Sequence, residues 1–367
     1  MDDTFYMKRA LELAKKGIGY TNPNPLVGAV IVKDGKIIGE GYHHSYGSAH
    51  AEIDAFSSAK QPVQDAVMYV NLEPCSHYGK TPPCVAAIVE KKIRKVVIAM
   101  KDPNPLVSGK GIAYLEKHGI EVVTGVLEEE ARKLNEIFIK YITTKTPFCL
   151  LKTAMTLDGK IAAHTGDSKW ISGEASRKAV HELRHRFSAI MVGIQTVLAD
   201  DPLLTTRLEN KKGRNPVRII VDSRGRIPLE ANVLQCDAET STIIATTDQI
   251  MEKKKEAIEK KGAHVLILPS KDGKVSLKDL MRELGRLQID SVLLEGGSTL
   301  NASALQEGIV DKVMAFIAPK ILGGEKAKTP VGGQGKDFVR DAFLLENMRF
   351  EKSGEDILIE GDIRKEE

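Results

Sequence analysis

No stretch of this 367-residue chain is apolar for the ~18–20 residues that a membrane span needs. Aromatic residues are scarce, at 5% with a single tryptophan, which leaves few platforms for stacking nucleic-acid bases. Neither sign of charge dominates. With 53 Lys and Arg against 50 Asp and Glu, the net charge of +3 gives no electrostatic case for a nucleic-acid binder. The opening residues, MDDTFYMKRALELAKKG, carry acids where a secretion signal carries bases, and they read as an amphipathic helix. Internal repeats and low-complexity tracts are missing as well; the lysine-rich stretch 252–261 reads as a solvated helix face. A cytoplasmic protein is expected. Cysteine is limited to Cys75, Cys84, Cys149 and Cys236, and in that compartment metal ligation or burial is favoured over disulfides.

What is present is a length that exceeds one ordinary hydrophobic core, so two domains are expected. Over residues 4–145, short apolar runs alternate with helical periodicity. Phe5, Tyr6, Ala10, Leu13 and Ala14 are expected to share a helix face that ends near Gly17. Asp34-Gly35 marks a tight hairpin between strands at 27–32 and 36–41. Further strands are expected at 67–71, 95–100 and 121–126. Helices are expected at 50–58, 85–92 and 111–118, with a long one at 128–141. The polar, proline-containing stretch 143–147 marks the join, giving domains 1–145 and 146–367. A second α/β series follows, with strands near 148–154, 189–193, 217–222, 242–246, 265–268, 291–295, 313–318 and 357–363. Its helices are expected near 174–185, 250–260, 276–287 and 298–306. Strands alternating with helices imply sheets covered by helices.

The strongest chemical signal is His50-Ala51-Glu52, followed by Pro74-Cys75 and then Cys84. One imidazole and two thiolates suit zinc and leave a fourth position for water, whose pKa the ion lowers towards neutrality. Glu52 follows His50 by two positions in one helix turn and can carry a proton without binding the ion. This is the zinc-deaminase pattern. The usual two-residue gap between the cysteines is replaced by eight residues, SHYGKTPP. A closed structural site with His77 as fourth ligand is the alternative; it leaves Glu52 without a task. Gly79-Lys80-Thr81 imitates a phosphate loop, but the glycine that such a loop needs five positions earlier is Pro74.

The motifs TNPNPLVGAV (21–30), AHAE (49–52) and EPCSHYGKTPPC (73–84) resemble the bifunctional riboflavin-biosynthesis deaminase–reductase family, in which the long gap between the cysteines is normal. The second half agrees through KTAMTLDGKIA (152–162), GDSKWI (166–171), GIQTVLADDP (193–202) and LLEGG (293–297). The resemblance implies a cytidine-deaminase-like αβα domain followed by a dihydrofolate-reductase-like domain. It further implies zinc-dependent deamination of a diaminopyrimidinone ribosyl phosphate, then NADPH-dependent reduction of the ribosyl group to ribityl. By motif position, His50, Cys75 and Cys84 would bind zinc and Glu52 would shuttle the proton. Asn24, His43 and Lys80 would touch the deaminase substrate. A homo-oligomer acting on small molecules is expected, with neither nucleic acid nor membrane as partner. A nucleic-acid base deaminase with an unrelated C-terminal half, or a zinc-stabilised binding protein, would share the first motif but not the second set.

No stretch of the second half fits the dinucleotide signature G-x-G-x-x-G; Gly332-Gly333-Gln334-Gly335 follows no clear strand. A better site is 291–303, where an apolar strand ends at Glu295, Gly296-Gly297 admit close approach, and Ser298 can cap a helix whose free amides attract anionic oxygens. The resemblance places NADP along Gly297, Ser298, Thr299, Leu300, Asn301, Ala302 and Ser303, and at Ala154, Trp170, Thr196, Asp200 and Ser223. It assigns the reductase substrate to Ser168, Arg184, Leu204, Arg207 and Glu295. Arg184 and Arg207 suit the ribose phosphate as planar forks. Lys152 is a further candidate for assisting reduction, or for pairing with Asp158 or another acid. Arg224 and Arg226 are candidates for reading the phosphate that distinguishes NADPH from NADH.

Overall fold

The computed structural model describes residues 2–76, 83–104, 107–209 and 212–365. The chain divides into two compact units, Met1–Lys145 and Thr146–Glu367.

In the first unit, α1 (Asp3–Lys15) starts at Asp2, whose carboxylate accepts from the Phe5 amide at 2.9 Å. It buries Tyr6, Met7, Ala10, Leu11, Leu13 and Ala14. Phe5, expected on the same face, is exposed, because steps of about 100° per residue turn it to the far side of that stripe. The hairpin of β1 (Gly28–Lys33) and β2 (Lys36–Tyr42) turns at Asp34 and Gly35, both at positive φ as a two-residue turn requires. Then follow α2 (Ala51–Ser58), β3 (Val67–Leu72), α3 (Cys84–Glu90), β4 (Lys95–Met100), α4 (Lys110–Lys117) and β5 (Glu121–Thr124). The long helix expected over 128–141 is two helices, α5 (Glu128–Leu134) and α6 (Glu136–Thr144). Buried Asn135 breaks it: its amide side chain pairs with both backbone groups of Leu26, at 2.8 and 3.0 Å.

The strand order is β2-β1-β3-β4-β5, with β1 antiparallel to both neighbours and β3, β4 and β5 parallel. The two reversals around β1 bring the carboxyl ends of β2, β3 and β4 to one edge. Ala51, Ala55, Val85, Ile88 and Leu115 from α2, α3 and α4 pack against Ile31, Met68, Val96 and Ile98 on one face. Met7, Ala10 and Ala131 from α1 and α5 pack against Val30, Tyr69 and Val97 on the other. Helix α2 lies unusually close to β2. A Cβ on Gly41 would stand 2.2 Å from the Ala55 nitrogen and 2.5 Å from the Ala51 oxygen.

The second unit runs β6 (Phe148–Thr156), α7 (Glu174–Arg186), β7 (Ala189–Gly193), α8 (Ile194–Asp200), β8 (Val217–Val221), β9 (Thr242–Thr246), α9 (Glu252–Glu259) and β10 (His264–Ile267). A small hairpin of β11 (Ser270–Lys271) and β12 (Lys274–Val275) follows. The unit continues through α10 (Leu277–Arg286), β13 (Ser291–Leu294), α11 (Ser298–Gln306), β14 (Lys312–Ala318), β15 (Leu345–Ser353) and β16 (Asp356–Ile363). Nine strands form one sheet in the order β10-β9-β8-β7-β13-β6-β14-β16-β15. It is parallel from β10 to β14, and β16 and β15 close it antiparallel. Neither β15 nor α8 is expected from the sequence. Strand β15 is exposed along nearly its whole length, so burial imposes no apolar alternation on it.

Gly41→Ala is expected to cost about 1–3 kcal/mol, because the added methyl meets helix backbone that cannot rotate away. Urea unfolding of the first unit's transition measures it, and unchanged stability would show that α2 can shift outward freely.

Candidate active sites

At the carboxyl edge of the first sheet, three elements deliver three donor atoms to one point. His50 is the N-cap of α2, Cys75 follows β3, and Cys84 opens α3. His50 Nδ1 lies 3.2 Å from Cys84 Sγ and 3.5 Å from Cys75 Sγ, and all three donor atoms fall within 4.8 Å of one another. Donors at about 2.0–2.3 Å from a tetrahedral zinc stand ~3.5 Å apart, so the set fits that ion in both chemistry and spacing. All four cysteines are free thiols, so the pair is not a disulfide. The Cys84 amide donates to Cys75 Sγ at 3.3 Å. Hydrogen bonds from Cys84 and from the His50 ring hold Cys75 well below the ordinary thiol range despite burial, while Cys84, beside that charge, is pushed up.

Glu52 sits in the first turn of α2 and is almost completely buried. Burial, reinforced by the Cys75 charge, pushes its carboxyl up to about 7, where a group can both take and return a proton. Asn24 and His43 are joined: Asn24 Nδ2 lies 3.1 Å from His43 Nε2, and His43 Nδ1 lies 3.0 Å from the Ala49 carbonyl. The Ala49 carbonyl can only accept, so the ring proton sits on Nδ1 and Nε2 accepts from Asn24. Burial lowers the His43 pKa, and its ring stands edge-on to His50 at 5.7 Å. Lys80 and His77 lie outside the described residues.

One buried carboxylate in this unit carries no role in the sequence reading. Glu73 accepts four backbone amides: Asp102 and Gly109 on Oε2, Gly111 and Ile112 on Oε1, at 2.9–3.2 Å. It ties the segment entering α4 to the strand end that carries Cys75. Its place inside the EPC motif is the only sequence signal for it.

In the second unit, β6, β7, β8 and β13 are parallel neighbours, so the residues at and after their carboxyl ends meet at one edge. Glu295 follows β13 and is the hub. Arg184 of α7 donates to it through Nε at 2.8 Å and Nη2 at 3.1 Å, and Lys152 Nζ of β6 donates at 3.2 Å. Lys152 therefore pairs with Glu295; Asp158 instead accepts from Thr156 and from the amides of Leu322 and Gly323. The remaining Arg184 nitrogen, Nη1, donates to the Thr205 carbonyl. Arg184, read from the sequence as a fork for phosphate, thus gives three of its five donors to Glu295 and Thr205. Arg207 is exposed.

Gly297 is the N-cap of α11, and a Cβ there would stand 3.4 Å from Thr196 Oγ1 of α8. Along 298–303, Thr299 is exposed, Ser298 and Ser303 are half-buried, and Leu300, Asn301 and Ala302 are buried. Asn301 Nδ2 donates to the Pro330 carbonyl, whereas its Oδ1 is buried with no hydrogen-bond partner among the described residues. The Gly332 amide donates to the Ser298 carbonyl, so the glycine-rich 332–335 begins against this helix start. Ser223 follows β8, and its hydroxyl accepts from the Val275 amide. Asp200 ends α8 and is exposed; Ala154 lies within β6. Trp170 is 64% exposed, with the Arg177 guanidinium 4.9 Å above its ring. Ser168 is half-buried, and Leu204 is buried at φ 54°. Arg224 and Arg226 are exposed beside Ser223.

Comparison with known proteins places both halves. A family model described as the cytidine and deoxycytidylate deaminase zinc-binding region matches residues 1–100, and the model of the RibD C-terminal domain matches 147–359. Together with the folds, these define a deaminase joined to a dihydrofolate-reductase-like reductase in one chain. The riboflavin biosynthesis protein RibD of Actinobacillus pleuropneumoniae is 51% identical over 98% of this chain and 95% of that protein. Its counterpart in Aquifex aeolicus is 46% identical over 97% of each. Among solved structures, Acinetobacter baumannii RibD aligns with a TM-score of 0.89 at 38% identity. A Thermotoga maritima diaminohydroxyphosphoribosylaminopyrimidine deaminase/5-amino-6-(5-phosphoribosylamino)uracil reductase aligns at 0.85 and 43%; both cover 99% of each chain. The chain belongs to the RibD family, the bifunctional deaminase–reductases of riboflavin biosynthesis. No helix of the described residues is long and apolar enough to cross a membrane.

Burial alone would raise the Glu295 pKa, but the charges of Arg184 and Lys152 overcome it and hold the carboxyl at about 2. Its folded value thus lies below the unfolded one of about 4.3, so the carboxylate stabilises the fold above that pH and ceases to as pH falls through about 2. Glu295→Gln is expected to lower stability by on the order of 3 kcal/mol at pH 7, with the gap from the parent narrowing between pH 5 and pH 3. Urea unfolding at several pH values measures it; a gap that does not narrow on acidification would contradict the assignment.

Proposed function

We propose that the first unit hydrolyses the amino group from a diaminopyrimidinone ribosyl phosphate, and that the second reduces the ribosyl side chain of the product to ribityl with NADPH. The observation that carries the reading is the buried Glu52 carboxyl in the helix turn that starts at the His50/Cys75/Cys84 donor set. The Thermotoga relative bears both activities in its name.

His50, Cys75 and Cys84 would hold one zinc ion, which when bound supplies the Lewis acidity that makes water nucleophilic near neutral pH. Glu52 takes a proton from the attacking water as its oxygen bonds to the ring carbon. It then returns the proton to the departing nitrogen as the carbon–nitrogen bond breaks, so that ammonia leaves. Asn24 and His43, locked to each other, offer fixed polar groups to the pyrimidine, and Lys80 is the remaining candidate contact.

In the second unit, the close Gly297–Thr196 approach and the Asn301 Oδ1, without a partner among the described residues, suit a bound dinucleotide over 297–303, with Ala154, Trp170, Thr196, Asp200 and Ser223 as further contacts. NADPH, when bound, supplies the hydride. Ser168, Leu204 and Arg207 would hold the substrate beside Glu295 and Arg184, and Lys152 would place a positive charge at the sugar. Localisation in the cytoplasm follows from the sequence reading. The expected homo-oligomer has a candidate surface in the exposed edge strand β15 with Phe338, Val339, Phe343 and Phe350 around it.

Glu52→Gln is expected to lower deamination by about 10²–10⁴-fold while retaining zinc. Cys75→Ser should abolish deamination and leave reduction of the supplied deaminated intermediate intact. Zinc content, ammonia release and NADPH oxidation measured together decide this; loss of reduction in a folded Cys75→Ser protein would refute one reaction per unit. Light scattering of the parent and of Phe350→Asp should show an oligomer and its weakening, and a monomeric parent would refute that surface.

A further inference from the structure

Helix α7 is stitched to the segment after α8 at three successive points. Lys178 Nζ lies 2.8 Å from Glu209 Oε1, the Arg207 amide donates to His181 Nδ1 at 3.2 Å, and Arg184 Nη1 donates to the Thr205 carbonyl at 3.2 Å. Residues 178, 181 and 184 recur every third position and share one helix face. Their partners 209, 207 and 205 alternate along a segment running the opposite way. The outer contact, between exposed side chains, contributes little. The Arg184 contact is anchored, since Arg184 is itself held by Glu295. On the far side of the segment, the Thr206 amide donates to Asn215 Oδ1 at 2.9 Å.

Arg184 gives three of its five donors to Glu295 and Thr205, whereas Arg207, the other fork read for the ribose phosphate, is exposed. We propose that His181 is a positioning residue for Arg207, fixing its backbone and bounding its side chain so that the fork faces the substrate phosphate. The inference rests on the reading that Arg207 binds substrate. Geometry supports it at one hydrogen bond, in which Nδ1 takes the Arg207 amide; Nε2, which then carries the ring proton, lies 3.4 Å from Arg207 Nη2, a donor too, so there the ring bounds the side chain by contact alone. The ring must be neutral to accept at Nδ1. Partial burial, then the Arg184 and Arg207 charges, hold its pKa down to about 4, with Glu295 and a hydrogen bond to the Thr205 backbone opposing only in part. The ring therefore keeps its acceptor at physiological pH, and Arg207 keeps its placement.

The test compares reduction of the deaminated ribosylamino-pyrimidine phosphate with that of its dephosphorylated nucleoside, using NADPH oxidation and the full-length protein. His181→Phe keeps the ring shape without an acceptor, and His181→Ala is read in parallel because it needs no packing space. Both are expected to raise KM for the phosphate about tenfold, the worth of one good hydrogen bond, with little change in kcat or in KM for the nucleoside. His181→Asn, which offers Oδ1 near the position of Nδ1, should restore KM. Unchanged KM in both acceptor-less variants, or an equal rise on both substrates, would overturn the proposal. Arg207→Gln separates the underlying reading. If it leaves KM for the phosphate unchanged, the Arg207 assignment itself falls; if it raises KM while His181→Phe and His181→Ala do not, only the positioning role falls.

Discussion

The deaminase half depends on a meeting of donors. Two helix starts and one strand end reach the same edge of the sheet and bring one imidazole nitrogen and two sulfurs within 4.8 Å of one another. Such a meeting costs free energy unless something draws the groups together, because each is polar and removed from water. Here hydrogen bonds from the Cys84 thiol, the His50 ring and the Cys84 amide hold Cys75 below the ordinary thiol range, and the donor set suits a dication. The surroundings serve that meeting. Glycine at 41 lets α2 approach β2, and Glu73 binds four amides that hold the entry to α4 against the strand end carrying Cys75.

The reductase half is organised by a charge rather than by a donor set. Glu295 is buried between two cations, so the carboxylate persists far below its ordinary pKa and removal of either partner would strand a charge. The same pairing decides what Arg184 can do. A guanidinium whose Nε and Nη2 are bound to one carboxylate and whose Nη1 is bound to a carbonyl keeps only one N–H on each terminal nitrogen for any further partner. It braces the residue after β13 to the segment at 205, while Arg207 stays exposed.

Legibility followed burial and local geometry. Strands 95–100, 189–193 and 242–246, with apolar runs bounded by turn residues, stand where the pattern places them. The hairpin at Asp34-Gly35 was legible because positive φ at two successive residues is a local demand. Asn135 was not, because the break in α5–α6 comes from a pairing with Leu26, more than a hundred residues away. Nor was β15, an exposed edge strand that no buried face patterns. In the first site, His50, Glu52, Cys75 and Cys84 announced themselves by chemistry and order. Glu73 and His181 did not, since each acts on backbone amides that the sequence does not bring near them.

By itself, the sequence determined which residues could do chemistry: a zinc-type donor set with a neighbouring carboxylate, and a second motif set suited to a dinucleotide and a phosphate. Those are properties of side-chain type and short-range order, which a linear chain displays directly. The tertiary structure alone decided the pairings: Lys152 with Glu295, Arg184 with Glu295 and Thr205, and His181 with Arg207. Parallel strands far apart in the chain lie side by side in the sheet, and only that adjacency sets which charges share a buried site and which remain exposed to meet a ligand.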